Sequence, residues 1–326
     1  MSSVLGLGNA LVDVLAKIES DTLLEELNLP KGSMQLIDEE GVKLINSKAG
    51  HMITDKAAGG SAANTIHGLA TLGIETGFIG TIGEDEMGEF FKSDMEKSSI
   101  RTFLTYGKAR SGVSTVLISP DSERTMATFL GSAIEMEASD IKKEIFEGYT
   151  CFHVEGYLVQ NYELVETALR MSKEAGLRNS LDLASYNVVE DNLDFLKKVT
   201  KEYVDILFAN EEEAKAFTGK EEDEALEEMS KYADISILKL GKRGSMINFK
   251  GEVVKVGVIP ANSIDTTGAG DLYASGFLYG LAHGLTPEQC GKIGAVTSGN
   301  VIQVIGPKMG DEQWNEIKKE VSAIMN

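Results

Sequence analysis

Residues 265–271 read Asp265-Thr266-Thr267-Gly268-Ala269-Gly270-Asp271, and an apolar segment with the spacing of a helix follows at once. Gly268, Ala269 and Gly270 are small enough to let a ligand approach the backbone closely. They also precede the predicted helix, whose unpaired N–H groups and dipole attract an anion at this end. The stretch therefore predicts a binding site for a phosphate group.

Asp271 places a carboxylate beside this predicted anion site, where it would repel the phosphate. The conflict disappears if Asp271 faces an attacking hydroxyl and accepts its proton while the γ-phosphoryl group leaves ATP. An aspartate is a weak base, but phosphoryl transfer depends mainly on positioning and charge stabilisation. A lone aspartate here would be interpreted as a helix cap, whereas the surrounding motif favours a catalytic base.

A second motif, Gly59-Gly60-Ser61-Ala62-Ala63-Asn64, opens another predicted helix. The two glycines permit close approach to the backbone, although a tight turn explains them equally well. Asp13 lies within the apolar run 11–15 and needs a partner if it is buried. A carboxylate, the Asn64 amide and exposed backbone together are suited to binding vicinal sugar hydroxyls.

Strand-like and helical segments alternate along the chain, which is typical of a parallel sheet covered by helices on both faces. The predicted strands are 3–8, 75–83, 149–154, 177–183, 204–208, 235–240 and 251–258, and the predicted helices are 61–72, 163–174, 211–217, 271–283, 287–303 and 312–325. Two segments, about 12–50 and about 102–131, contain β-branched runs with period-two polarity. They predict a small antiparallel β-sheet lid inserted into a single α/β domain over residues 1–326.

Composition narrows the class of partner. A net charge of -20 disfavours nucleic acid and anionic membrane surfaces. Two cysteines, Cys151 and Cys290, are too few for a disulfide framework. The chain shows neither a basic secretory leader nor an apolar run of roughly 18 residues, so a cytoplasmic protein is expected.

The two motifs together resemble the two signatures of the ribokinase-like, or PfkB-type, carbohydrate kinase family, and the resemblance covers nearly the whole chain. Intermediate stretches agree with it, namely Gly6-Leu7-Gly8-Asn9, the run 80–88, Asn210 with Glu213, and Gly241-Lys242-Arg243-Gly244. The N-terminal pattern and the run 204–211 look most similar to adenosine-kinase-like members.

The resemblance implies a three-layer α/β/α fold with a mostly parallel central sheet, and an ATP- and Mg²⁺-dependent kinase. Its acceptor would be a primary hydroxyl of a sugar or a ribonucleoside, adenosine and ribose being candidates. Asp271 would be the base, with an anion hole formed by the amides of Gly268, Ala269 and Gly270. The residues that would hold the acceptor are Asp13, Gly59, Gly60 and Asn64.

The resemblance also assigns a nucleotide site and cation sites. Its nucleotide-binding residues would be Asn210, Gly241, Gly244 and Thr266. Asn210 and Glu213 would organise Mg²⁺ through water, and a monovalent cation such as K⁺ would bind near Asp265. Two departures from the family pattern are Lys239 and the pair Pro307-Lys308, and a solvated position is expected for Arg124.

Other functional classes fit less well. The dinucleotide-binding fingerprint fails because Leu11 stands where its third glycine belongs, and no GxxxxGK[ST] stretch occurs. The four histidines lack the spacing of metal ligands. A non-catalytic sugar or nucleoside sensor on a kinase scaffold remains an alternative, and both a monomer and a lid-mediated homodimer agree with the sequence.

Overall fold

The computed structural model describes residues 2–121 and 123–326. Its strands are β1 (Ser3–Leu7), β2 (Leu11–Lys17), β3 (Met34–Leu36), β4 (Ile53–Gly59), β5 (Glu75–Gly83), β6 (Ile100–Gly107), β7 (Gly112–Ile118), β8 (Arg124–Phe129), β9 (Cys151–Glu155), β10 (Arg178–Asp182), β11 (Ile206–Asn210), β12 (Ile235–Lys239), β13 (Ser245–Phe249) and β14 (Glu252–Val256). The α-helices are α1 (Thr22–Glu26), α2 (Glu39–Ala49), α3 (Ser61–Leu72), α4 (Glu86–Lys97), α5 (Tyr162–Glu174), α6 (Tyr186–Asp191), α7 (Leu193–Tyr203), α8 (Glu211–Thr218), α9 (Glu222–Met229), α10 (Ala269–Ala282), α11 (Pro287–Val301) and α12 (Asp311–Met325).

The large sheet has the strand order β14-β13-β12-β11-β10-β9-β1-β5-β6. Seven strands, β12, β11, β10, β9, β1, β5 and β6, pair in parallel with their neighbours. Strands β13 and β14 add an antiparallel hairpin at the β12 edge. Strand β9 is buried along its whole length, as expected when helices cover both faces of a parallel sheet. The predicted mostly parallel central sheet is confirmed.

Helices pack on both faces of the large sheet and form its two cores. Helices α5, α7, α8 and α9 contribute to one core, with Leu169 and Phe217 fully buried, while α3, α4, α10 and α11 contribute to the other, with Ile66 and Phe277. Helix α12 packs on α11 at the periphery. The three-layer architecture is thus confirmed. Across the residues that the structure describes, no helix is both long and apolar enough to cross a lipid bilayer.

The small sheet, in the order β3-β8-β7-β2-β4, is mixed. The expected antiparallel arrangement is wrong, because β2 pairs with β7 and β3 with β8 in parallel. The parallel pairing of β2 with β7 has a topological cause: β2 follows β1 and β7 follows β6, and β1 and β6 run in the same direction in the large sheet. Both chain segments therefore enter the small sheet from the same edge.

The expected bounds of the small sheet, about 12–50 and about 102–131, also need correction. Residues 100–107 form β6, which pairs with β5 in the large sheet, and residues 53–59 add β4 to the small sheet beyond residue 50. Strand β6 is the edge of the large sheet and is only partly buried, which explains why its polarity pattern looked like that of a one-sided sheet. That the small sheet acts as a lid, and that the chain forms one domain, stay predictions.

The small sheet is fixed over the large one by apolar contacts on two sides. Val12 and Val14 of β2 join the core that includes Phe91 of α4. On the opposite face of β2, Leu15 packs in a cluster with Ile305, which follows α11. The face of β2 that carries Asp13 therefore turns toward the C-terminal segment and the start of α10.

Helix α3 begins after Gly60 and ends at Gly73, and both glycines have positive φ, +102° and +101°. Their surroundings differ. A Cβ built on Gly60 would lie 2.4 Å from the backbone oxygen of Asn9, whereas one on Gly73 would meet nothing within 4 Å. Gly60 is therefore required both by its backbone conformation and by the close approach of the chain after β1.

We expect Gly60→Ala to destabilise the protein more than Gly73→Ala. At Gly73 the cost should be about 1–2 kcal/mol, the penalty of a left-handed conformation with a Cβ, and at Gly60 steric overlap should add about 1–3 kcal/mol. Free energies of unfolding from urea denaturation measure both. Equal costs for the two variants would show that the contact with Asn9 is unimportant.

Candidate active site

Polar residues stand at the carboxyl ends of neighbouring strands in the large sheet. Asn9 follows β1, and the last residues of β9, β10, β11 and β12 are Glu155, Asp182, Asn210 and Lys239. Ligands of open α/β sheets bind at the carboxyl ends of the strands. The small sheet and the beginnings of α3 and α10 lie at this edge, so the fold gathers the predicted motifs there.

The Asp271 carboxylate joins the two motifs. Its Oδ1 accepts a hydrogen bond from Ser61 Oγ at 2.7 Å, and its Oδ2 accepts one from Asn64 Nδ2 at 2.9 Å. The N-cap of α10 is Gly268, and the helix has no side-chain cap. Asp271 is therefore not a helix cap, the alternative that its position in the sequence had left open.

Burial raises the pKa of Asp271 to about 6, while the hydrogen bonds from Asn64 and Ser61 lower it. Among more distant charges, Asp182 raises this pKa and Lys239 lowers it. Asp271 is thus mostly ionised at neutral pH, yet it is a stronger base than an ordinary aspartate. A pKa near the working pH suits a general base.

Unpaired amides stand beside Asp271. Within residues 2–121 and 123–326, the N–H groups of Gly268, Gly270 and Asp271 donate to no protein acceptor, whereas the N–H of Ala269 donates to the Thr266 carbonyl at 3.1 Å. Of the predicted anion hole, the amides of Gly268 and Gly270 are therefore available, and that of Ala269 is already bonded. Together with the dipole of α10 they make a binding place for an anion.

The predicted acceptor residues lie next to this carboxylate. Asp13 packs against Gly59 so closely that a Cβ on Gly59 would lie 2.3 Å from Asp13 Oδ2. Burial raises the pKa of Asp13 to about 7, with Lys308 lowering it and Asp271 raising it. Asn64 Oδ1 is buried and has no hydrogen-bond partner in the described part of the chain. The side-chain oxygen of Asn64 thus offers hydrogen-bonding capacity that no described residue uses.

Glu155 is a site residue that sequence reasoning missed. It is 1% exposed, its Oε1 accepts hydrogen bonds from the backbone and side-chain nitrogens of Asn9, and its Oε2 accepts one from the Ala62 amide. It joins the loop after β1 to the beginning of α3 and so positions Ser61 and Asn64. A glutamate directly after the predicted strand 149–154, at its carboxyl end, was the signal that could have found it.

Asn210 and Glu213 form a reciprocal cap at the beginning of α8. Asn210 Oδ1 accepts from the Glu213 amide at 2.9 Å, while Glu213 accepts from the Asn210 amide at 2.8 Å and from its Nδ2 at 2.6 Å. Burial raises the pKa of Glu213 to about 7, although Lys239 lowers it. This geometry accounts for the motif as a helix cap, and a role with the nucleotide stays a prediction.

The same residues limit how a divalent metal ion can bind. In the described residues no group of three or more His, Cys, Asp or Glu side chains is arranged to hold a metal ion. Mg²⁺ commonly keeps several waters and binds through substrate phosphates with few protein ligands. A water-mediated Mg²⁺ ion beside Asn210 and Glu213 stays a prediction, since both Glu213 carboxylate oxygens already accept hydrogen bonds from Asn210.

The other predicted nucleotide residues lie in two loops. Gly241 and Gly244, both with positive φ, make the turn between β12 and β13, where the Gly244 amide donates to the Gly241 carbonyl at 3.0 Å. Thr266 is exposed and precedes α10. The role of Gly241, Gly244 and Thr266 in nucleotide binding stays a prediction.

Asp265 is paired with an arginine from the small sheet. Arg124 Nη1 lies 2.8 Å from Asp265 Oδ2, and the two side chains are only 8% and 6% exposed. Asp265 also accepts hydrogen bonds from the Thr267 and Gly306 amides. The expected solvated position of Arg124 is wrong, because this buried carboxylate requires a cation. A monovalent cation at Asp265 stays a prediction and would have to compete with the guanidinium.

Lys308 brings another buried cation to the site. Its Nζ is buried and has no hydrogen-bond partner in the described chain. Burial lowers its pKa to about 8, although Asp94 and Asp13 raise it. An ammonium that no described residue accepts a hydrogen bond from can donate one to a ligand atom near Asp13.

A family model described as pfkB family carbohydrate kinase matches residues 46–314. The chain belongs to the pfkB family of carbohydrate kinases. It is therefore a phosphotransferase that acts on a hydroxyl group, a sugar or nucleoside kinase that uses ATP with a divalent metal ion. The recognition of this family from the two glycine-containing motifs is confirmed.

Its relatives divide between two kinds of acceptor. The chain is 31% identical to adenosine kinase from Sinorhizobium meliloti, with a TM-score of 0.87 and coverage of 98% and 99% of the two chains. It is 30% identical to a probable sugar kinase from Rhizobium etli, with a TM-score of 0.89 and coverage of 99% of each. It is also 28% identical to 5-dehydro-2-deoxygluconokinase from Geobacillus thermodenitrificans over 270 residues, 76% of this chain and 79% of the relative.

Ser61→Ala is expected to raise the pKa of Asp271, because the lost hydrogen bond stabilises the ionised carboxylate. The acidic limb of the pH profile of kcat/KM should move upward by about one pH unit. Thr65→Val is the matched control, since Thr65 Oγ1 donates to the backbone oxygen of Asp271 at 3.1 Å and not to its carboxylate. An acidic limb at the same pH in Ser61→Ala and Thr65→Val would contradict the assignment of that limb to Asp271.

Proposed function

We propose that this protein transfers the γ-phosphoryl group of ATP to the primary hydroxyl of a ribonucleoside such as adenosine, with Asp271 as the catalytic base. One observation carries the proposal. Ser61 and Asn64 hold the Asp271 carboxylate at 2.7 and 2.9 Å, immediately beside the unpaired amides of Gly268 and Gly270. A proton acceptor and an anion site in contact are what transfer of a phosphoryl group to an alcohol requires.

Each group has a separate part in the proposed reaction. Asp271 takes the proton from the acceptor hydroxyl as the acceptor oxygen bonds to the γ-phosphorus. The amides of Gly268 and Gly270 stabilise the charge on the transferring group. Asp13 and Asn64 hold other hydroxyls of the acceptor so that the reacting one faces Asp271. Asn210 and Glu213 would hold Mg²⁺ through water, and the ion would offset phosphate charge there.

The nucleoside acceptor is supported by likeness over the whole chain. The adenosine kinase from Sinorhizobium meliloti aligns with 98% of this chain at 31% identity. Because the probable sugar kinase from Rhizobium etli aligns with 99% of the chain at 30% identity, adenosine and sugars are tested side by side.

A sugar acid is a second candidate, and Lys308 favours it. Its buried ammonium lies near Asp13 and has no hydrogen-bond partner in the described residues, so a carboxylate on the acceptor would supply the missing partner. The similarity to 5-dehydro-2-deoxygluconokinase supports the same class of acceptor.

Asp271→Asn is expected to reduce kcat by about 10²–10⁴-fold, since the amide cannot accept the proton. The affinity for ADP, measured by calorimetry, should stay close to that of the unchanged protein. Asp55→Asn is the control, because Asp55 is exposed on β4 and its substitution should leave kcat unchanged. Unchanged turnover in Asp271→Asn would refute its assignment as the base.

A panel of adenosine, ribose and 5-dehydro-2-deoxygluconate should give the highest kcat/KM with adenosine, measured as ADP formation. Lys308→Met should lower activity on the sugar acid and leave activity on adenosine nearly unchanged. A preference of more than about tenfold for the sugar acid, equivalent to roughly 1.4 kcal/mol, would favour the second candidate. No ADP with any acceptor, together with measurable binding, would favour a non-catalytic sensor.

A further inference from the structure

Lys239 ends strand β12 and stands opposite Asn210 in the sheet register. Its side chain is 14% exposed, and its Nζ donates to Asp182 Oδ2 at 2.7 Å. An ammonium has three N–H donors, and Asp182 is its only hydrogen-bond acceptor among residues 2–121 and 123–326. Two donors of this largely buried ammonium are therefore available to a ligand.

The ammonium faces the anion hole. A Cβ built on Gly270 would lie 3.2 Å from Lys239 Nζ, and the Gly270 amide is one of the unpaired amides at the beginning of α10. The glycine at position 270 thus lets a cation from the sheet approach the backbone that attracts an anion. An anion bound at these amides would lie next to Lys239 as well.

Lys239 keeps its positive charge in this position. Burial lowers its pKa, but the carboxylates of Asp182 and Glu213 more than offset burial, so its pKa lies above the ordinary value. Asp182 has a second role that holds the pair in place, because its Oδ1 accepts a hydrogen bond from the Ala184 amide at 3.0 Å. The lysine is consequently charged and oriented at neutral pH.

We propose that Lys239 is a further catalytic residue, which donates a hydrogen bond to a non-bridging oxygen of the phosphoryl group during transfer. The proposal rests on the kinase function proposed above. The acceptor oxygen gives its proton to Asp271 and bonds to the γ-phosphorus. The bond from that phosphorus to the β,γ-bridging oxygen breaks, and its electron pair stays on ADP. Lys239 offsets negative charge on the transferring group between these two oxygens.

A purely structural ion pair is the competing explanation. An ion pair on the surface of the same sheet provides the control, because Lys255 of β14 pairs with Asp223 at 3.0 Å and both side chains are exposed. Lys239→Met and Lys255→Met each remove a lysine from a Lys–Asp pair. Only the first removes a cation that borders the anion hole.

The test compares binding of ADP alone with binding of ADP plus aluminium fluoride, a planar mimic of the transferring phosphoryl group, and also measures single-turnover rates. Lys239→Met should bind ADP with an affinity within about threefold of that of the unchanged protein. The gain in ADP affinity on adding aluminium fluoride should be about 10²-fold smaller in this variant, and its single-turnover rate about 10²–10³-fold lower. Lys239→Arg should recover part of both effects. Lys255→Met should show neither.

Retention by Lys239→Met of both the aluminium fluoride effect and the transfer rate would overturn the proposal. If Lys239→Met loses cooperative thermal unfolding, the double variant Asp182→Asn/Lys239→Met, which also removes the carboxylate that forms the ion pair with Lys239, is measured in its place with the same expected losses. Absence of ADP formation by the unchanged protein with every acceptor would contradict the kinase function itself. The binding comparison, which needs no acceptor, would still decide whether Lys239 contacts the phosphoryl position.

Discussion

The structure depends on the compensation of buried carboxylates at one edge of the large sheet. A carboxylate in a protein interior is costly unless it is paired or hydrogen-bonded. Several acidic residues nevertheless converge at the carboxyl ends of the strands and at the beginnings of α3 and α10. These residues are the buried Glu155, Asp182, Glu213 and Asp265 and the half-buried Asp13 and Asp271.

These carboxylates differ in their hydrogen-bond and ion-pair partners, and the differences indicate which have structural roles and which are suited to chemistry. Glu155 is saturated by nitrogens of Asn9 and Ala62 and serves to join two chain segments. Asp265 is paired with Arg124 and thereby ties the small sheet to the loop before α10. Asp271 receives only two hydrogen bonds and has no ion-pair partner within the described chain. Burial raises its pKa to about 6, and the carboxylate keeps acceptor capacity for a proton.

Three cationic side chains lie among the carboxylates of the site. In a chain with a net charge of -20, Lys239, Arg124 and Lys308 bring buried positive charge to this edge. Lys239 and Arg124 pair with carboxylates, and Lys308 has no hydrogen-bond partner in the described residues. An acidic protein can bind phosphates because the nearby cations act on the ligand more strongly than the distant acidic residues, whose charge is screened by solvent and salt.

The sequence by itself determined the elements that are local in the chain, and it predicted the chemistry of its two motifs. Helix α3 and strand β5 have the predicted bounds, because their glycine boundaries and apolar periodicity act within a few residues. The motif 265–271 indicated an anion site and a base for the same reason.

Only the tertiary structure decided which groups meet. Ser61 and Asn64 reach Asp271 across 210 and 207 residues of chain. It also decided the pairing of Arg124 with Asp265, the position of Lys239 against Gly270, and the place of β6 in the large sheet. Such contacts depend on strand order and on the cost of burying charge, and neither is encoded in a local pattern.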